Sequence, residues 1–172
     1  MTNNDLLRRL RYALNLTGVT MAEIMGLAGR ETGPAEVLKL LKKEDEHGFV
    51  ACDDALMAAF LDGLITYKRG PHTLKPASPQ PEATLSNNLI LRKLRIALEL
   101  NDEAMMAVLK RAGVTVSKSE LSALFRTAGH RNYKECGDQF LRNFVRGLTL
   151  AHPHTDGSSK GNRSTINVLD VN

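Results

Sequence analysis

An all-α protein of two tandem helical repeats is what this sequence predicts. Each repeat has about four helices, the two are related by a pseudo-twofold, and a Pro-rich linker joins them. Three observations predict it. NNDLLRRLRYALNL, starting at Asn3, returns as NNLILRKLRIALEL at Asn87. The 84-residue offset holds without a gap from 3–65 to 87–149, with 19 identities in 63 paired positions, where ordinary residue frequencies give roughly 4 by chance. Apolar residues recur at helical spacing in both copies, and little alternates apolar and polar over a strand length, so essentially no sheet is expected.

In the first helix Leu7, Leu10 and Leu14 share one face, as do Leu91, Leu94 and Leu98 in the second copy. Asn3 or Asn4, and Asn87 or Asn88, stand where an N-cap side chain accepts orphan backbone N–H groups. A second helix is expected near 21–28 and 104–112, ending at Gly29 and Gly113, where a helix C-terminus favours a left-handed residue. A third is expected at about 34–46, with Pro34 in its first turn, and at 118–127. The last runs near 53–67 and 138–150, with apolar stripes Leu56, Phe60, Leu64, Tyr67 and Phe140, Phe144, Leu148. Gly63 and Gly147 interrupt that helix, where glycine costs about 1 kcal/mol relative to alanine. Either a neighbouring backbone approaches too closely for a Cβ, or the helix bends there.

The repeats span 1–69 and 87–150. Between them, residues 70–86 hold Pro71, Pro76, Pro79 and Pro81, which favour an extended linker. Residues 151–172 are polar, rich in Gly, Ser and Asn, and read as a disordered tail. A core of about 65 residues is marginal; docking the copies on each other would bury more surface, and independent beads on the linker are the alternative.

At 42% apolar and 24% charged, the 172 residues suit a globular protein. No run approaches the roughly 18 apolar residues of a membrane span, and charges interrupt the N-terminal apolar pattern, unlike a signal peptide. With two cysteines, the expectation is a cytoplasmic protein that makes no use of a membrane. The net charge of +4 is uneven: residues 3–70 sum to −1 and residues 87–150 to +5. The basic surplus belongs to the second copy.

KKEDEHGF, then Cys52 and FLDGLITYKRG, then HRNYKECGDQFLRNFVRGL, together resemble the YehS-like bacterial family, whose members carry two tandem copies of one small domain. The resemblance covers roughly 3–150 and not the tail. It implies a small soluble bacterial protein of unknown function, and carries no activity, cofactor or site residue with it.

The residues favour a binding or regulatory module over an enzyme. Arg131, Lys134, Arg142 and Arg146 are the candidate site for nucleic acid (DNA or RNA) or an acidic protein, because the first copy has His47, Val50, Ala58 and Asp62 there and a basic surface attracts polyanions. Arg8/Arg92 and Arg11/Arg95, shared by both copies, are expected to pair with the shared Glu36/Glu120 and Asp54/Asp138. Residues 107–125 have a helix-turn-helix flavour, but the turn is about two residues too long and Lys118, Ser119, Ser122 and Arg126 are a thin set of base readers. A protein–protein adaptor using the cleft between the repeats is the alternative function.

Cys52 and Cys136 precede the last helix of their copies. That position allows a lowered thiol pKa, although such a cysteine is more often a small buried hydrophobe. His47 and His130, near Cys52/Asp54 and Cys136/Asp138, are out of register between the copies and lack zinc-ligand spacing. No catalytic residues, metal ligands or cofactor are assigned. An enzyme would need a pocket gathering Cys52, Asp54, Cys136 and Asp138.

Overall fold

The computed structural model describes residues 1–71 and 84–151. These form α1 (Asn3–Ala13), α2 (Gly18–Leu27), α3 (Pro34–Leu40), α4 (Asp54–Arg69), α5 (Asn87–Ala97), α6 (Asp102–Arg111), α7 (Lys118–Leu124) and α8 (Asp138–Ala151), with no strand among the described residues. The protein is all-α, and its four-helix unit occurs twice. Residues 72–83 of the expected linker over 70–86, and 152–172 of the expected tail over 151–172, lie outside the described residues, while Ala151 belongs to α8.

The helices start where side chains satisfy orphan backbone donors. Thr2 and Ser86 cap α1 and α5, and Thr2 forms a reciprocal capping box with Asp5. This corrects the expectation that Asn3/Asn4 and Asn87/Asn88 are the caps. One residue earlier, a hydroxyl takes that role, and the asparagines fall inside the first turn, where they reach across the fold. Asn4 is buried; its Nδ2 donates to the carbonyls of Leu40 and Val50, each at 2.9 Å, and its Oδ1 accepts from the Cys52 N–H at 2.9 Å. Asn88 repeats all three bonds at 2.9 Å, with Leu124, Lys134 and Cys136. Asn3 donates to the Cys52 carbonyl and, at 2.8 Å, to the Asp54 carboxylate. Asn87 does the same with Cys136 and, at 2.7 Å, with Asp138. Each Asn-Asn pair therefore ties the first helix of a repeat to the loop that launches its last.

The third helices are shorter than the sequence suggests. Charged, helix-favouring residues continue to Glu46, yet α3 stops at Leu40 and α7 at Leu124. Side chains of the first helix take the carbonyls at these ends. Asn4 binds Leu40 and Arg8 binds Lys42 at 2.7 Å; Asn88 binds Leu124 and Arg92 binds Phe125 at 2.6 Å. Tertiary capping overrides local propensity here.

Gly63 and Gly147 resolve in favour of close approach. A Cβ on Gly63 would lie 1.9 Å from the Ile24 carbonyl oxygen, and one on Gly147 would lie 2.0 Å from that of Val108. The last helix of each repeat thus rides backbone-close on the second, α4 on α2 and α8 on α6. Gly29 and Gly113 take the left-handed conformation expected of them, at φ 79° and 81°.

Most of the expected stripes are buried. Leu7, Leu10, Phe60, Leu64, Leu91, Leu94 and Phe144 are fully enclosed, while Tyr67 lies exposed near the end of α4. The buried residues of both repeats belong to one continuous core, so the copies dock rather than hang as beads. Between repeats α4 lies along α5 and α8 along α1, the reciprocal pairing that a pseudo-twofold requires. These two seams are the repeat–repeat interface, and the α4–α5 seam is the more extensive.

Candidate anion-binding groove

The α1–α8 seam opens into a groove of about 320 Å³, with Arg8, Arg9 and Tyr12 on the α1 wall and Val145, Arg146 and Thr149 on the α8 wall. Helical spacing puts both triplets in place: residues i, i+1 and i+4 span one face of each helix. None of Cys52, Asp54, Cys136 or Asp138 lines it.

The groove's charge follows from its partners. Arg8 is fixed, donating to the Lys42 carbonyl and paired with Asp5. Arg9 and Arg146 are exposed and make no hydrogen bond or ion pair with another described residue. Partial burial works to raise the Asp5 carboxyl, but bonds from Thr2 and the charges of Arg8 and Arg9 outweigh it and hold the group below its ordinary value. Asp5 therefore answers both Arg8 and Arg9, Arg146 makes no ion pair among the described residues, and further along the seam the Met1 ammonium pairs with Asp138 at 2.7 Å. The Thr149 hydroxyl donates back to the Val145 carbonyl at 3.2 Å.

Of the four basic residues expected from the sequence to act together, Arg146 alone lines the groove. Arg142, one turn earlier on α8, donates to Gln139 at 3.2 Å and helps hold Asp138 in its charged form. Lys134 lies in the loop before α8, where its charge acts on Glu120 of α7, and Arg131 is exposed in the same loop. Sequence reasoning missed Arg9. Its signal was an unpaired cation at an aligned position, but only the docked geometry puts it across from Arg146.

The shared arginines depart from expectation too. Arg92 donates to the Phe125 carbonyl; Arg95 pairs with Asp102 at 2.7 Å, bonds the Leu100 carbonyl and lies 4.6 Å over the Phe125 ring. None of these partners is the shared glutamate or aspartate. Glu120 is instead taken by its own helix cap, Asp54 by Asn3, and Asp138 by the Met1 ammonium at 2.7 Å and by Asn87.

The cysteines are buried, free thiols, each donating to a nearby carbonyl at 3.7 Å. Burial, reinforced by Asp53 and Asp54, pushes Cys52 up to about 11; burial and Asp138 do the same for Cys136, also about 11. Desolvation outweighs any benefit of the adjacent helix start. Among the described residues no group of three or more His, Cys, Asp or Glu side chains is set to hold a metal, and no helix is long and apolar enough to cross a membrane.

The model of a family described as "Protein of unknown function (DUF1456)" matches residues 3–70 and again residues 87–152. The chain belongs to this family. Its two matched segments coincide with the two helical units. The chain is also 42% identical over 148 residues to the uncharacterized protein YehS of Escherichia coli (strain K12), a match covering 86% of this chain and 94% of that protein. No solved structure matches.

Proposed function

We propose that this protein is a binding module that holds nucleic acid by its phosphate backbone, on a face shared by α8 and α1. One observation carries the reading: docking lays Arg146, from the copy with the +5 surplus, beside Arg8 and Arg9 of the other copy. Cationic side chains that face one another across a seam raise the local concentration of polyanions and bind them by releasing counterions. Arg142 lies one turn before Arg146 on α8 and extends the strip along that helix. The contacts are to phosphate, so the expected binding is tolerant of sequence. The helix-turn-helix version finds less support, because Lys118 of α7 is already paired with Glu103 at 2.9 Å.

Fluorescence anisotropy with generic single-stranded RNA, single-stranded DNA and duplex DNA tests the proposal. Binding at about 50 mM salt should weaken steeply by about 200 mM, and Arg146→Gln should reduce the log–log salt slope by about 1. No binding at low salt overturns it. Binding of an acidic protein, with indifference to every nucleic acid, transfers the same face to the adaptor reading.

A further inference from the structure

The two repeat–repeat seams are built from equivalent positions, and the 84-residue offset shows what each became. In the α4–α5 seam Asp62 pairs with Lys93 across the repeats, with both side chains partly buried. The equivalent residues in the α1–α8 seam are Arg146 and Arg9. The carboxylate of one seam is replaced by a guanidinium in the other, opposite a cation that has been kept. Two neighbours change in the same direction: Ile65 and Ile96 correspond to Thr149 and Tyr12, so hydroxyl-bearing side chains stand where aliphatic ones close the first seam. Both seams carry an ion pair between the repeats, Asp62–Lys93 in one and the Met1 ammonium with Asp138 at 2.7 Å in the other, but between Arg9 and Arg146 the second opens into a cleft of about 320 Å³, at the lower end of the roughly 300–1,000 Å³ typical of small-ligand sites.

We infer that the α1–α8 groove is a seat for one phosphate group, clamped between Arg9 of the first repeat and Arg146 of the second. The inference rests on the anion-binding reading above and names the ligand chemistry of its centre. Two guanidinium forks on opposite walls suit a tetrahedral anion with several acceptor oxygens, and arginine binds phosphate bidentately. A phosphomonoester dianion matches the excess of positive charge that Arg8, Arg9 and Arg146 carry over Asp5, as a single carboxylate does not. Arg8, held by Asp5 and the Lys42 carbonyl, forms a fixed part of the α1 wall. The volume leaves room beyond the phosphate for a group the size of a sugar or base. The bound anion then does for this seam what Asp62 does for the other, joining the repeats.

The test uses the full chain, thermal unfolding and calorimetric titration. The probes are inorganic phosphate, a nucleoside 5′-monophosphate, and one oligonucleotide with and without a 5′-phosphate. A phosphate compound at a hundredfold excess over its Kd should raise Tm by about 5–10 °C. Arg146→Asp recreates opposite charges at the seam. It should abolish the response to phosphate without lowering the phosphate-free Tm, an outcome that general damage to the fold would not give. Arg9→Gln and Arg146→Gln, which change shape less, should also lose the response. A response to the monophosphate alone marks a small-molecule seat; preference for the 5′-phosphorylated strand marks a strand end. A wild-type protein indifferent to all phosphate probes, or Arg146→Asp with its response intact, overturns the seat. If oligonucleotides bind with a salt slope that Arg146→Gln lowers, but neither free phosphate nor a 5′-phosphate has any effect, the seat falls and the nucleic-acid reading stands. If no strand and no phosphate binds, both fall.

Discussion

Along α4–α5, Asp62 and Lys93 neutralise each other, and Leu61 and Ile65 are buried. Along α1–α8 the same positions hold Arg146, Arg9, Val145 and Thr149, and a charged groove remains. Within each repeat the copies have stayed alike: the Asn4 and Asn88 networks match bond for bond, and Gly63 and Gly147 meet the same backbone neighbour. The buried interactions that build the unit are duplicated, whereas the charge pairs at the surface and between the units have diverged. Divergence is cheap at a half-exposed seam, where a surface ion pair is worth about 0–1 kcal/mol. It is costly where a polar group or a helix crossing is buried.

The largest effect should come from Gly63→Ala and Gly147→Ala. Each drives a Cβ into a carbonyl oxygen about 2 Å away, and separating two helices costs on the order of 2–4 kcal/mol. Urea unfolding should show similar losses for the two variants; strongly unequal losses would break the claim that the units are equivalent inside.

Next come Asn4→Leu and Asn88→Leu. Each strands two carbonyls and one N–H that the amide now satisfies, for a loss of about 1–3 kcal/mol, again matched between the copies and read from the same denaturation curves.

These predictions also mark how far the sequence could be read. The duplication, the helical class, the left-handed Gly29 and Gly113 and most of the core follow from spacing, because an amphipathic helix writes its buried face into every third or fourth residue. The end of α3 did not, since the donors that stop it come from Asn4 and Arg8, more than 30 residues away. Tyr67 kept helical register with Phe60 and Leu64, but near the end of α4 it lies outside the core. Of the candidate groove, Arg146 was legible as a charge change relative to Asp62; Arg9 was not, because pairing across a seam is a property of docking.

Smaller effects sharpen the contrast between the seams. Asp62→Asn leaves Lys93 partly buried without its partner and should cost about 1 kcal/mol. Arg146→Asp, at the equivalent position, should cost nothing or stabilise slightly when no anion is present. Equal destabilisation by the two would mean that the seams do not differ in charge balance.

The smallest effect concerns the thiols. With Cys52 and Cys136 raised to about 11, both should resist alkylation at pH 8 in the native protein and react fully in denaturant. The folded state holds these protons more tightly than the unfolded chain. Their contribution to stability is therefore complete below the ordinary thiol value of about 9 and falls as pH rises toward about 11. Rapid native labelling at pH 8 would contradict their burial.

By itself the sequence determined the helical unit, its repetition and the excess of positive charge in the second copy, because hydrophobic periodicity and composition are local properties of the chain. Only the tertiary structure decided which cations meet. Arg9 and Arg146 are 137 positions apart, and they share a groove because the pseudo-twofold lays the first helix of one unit along the last helix of the other.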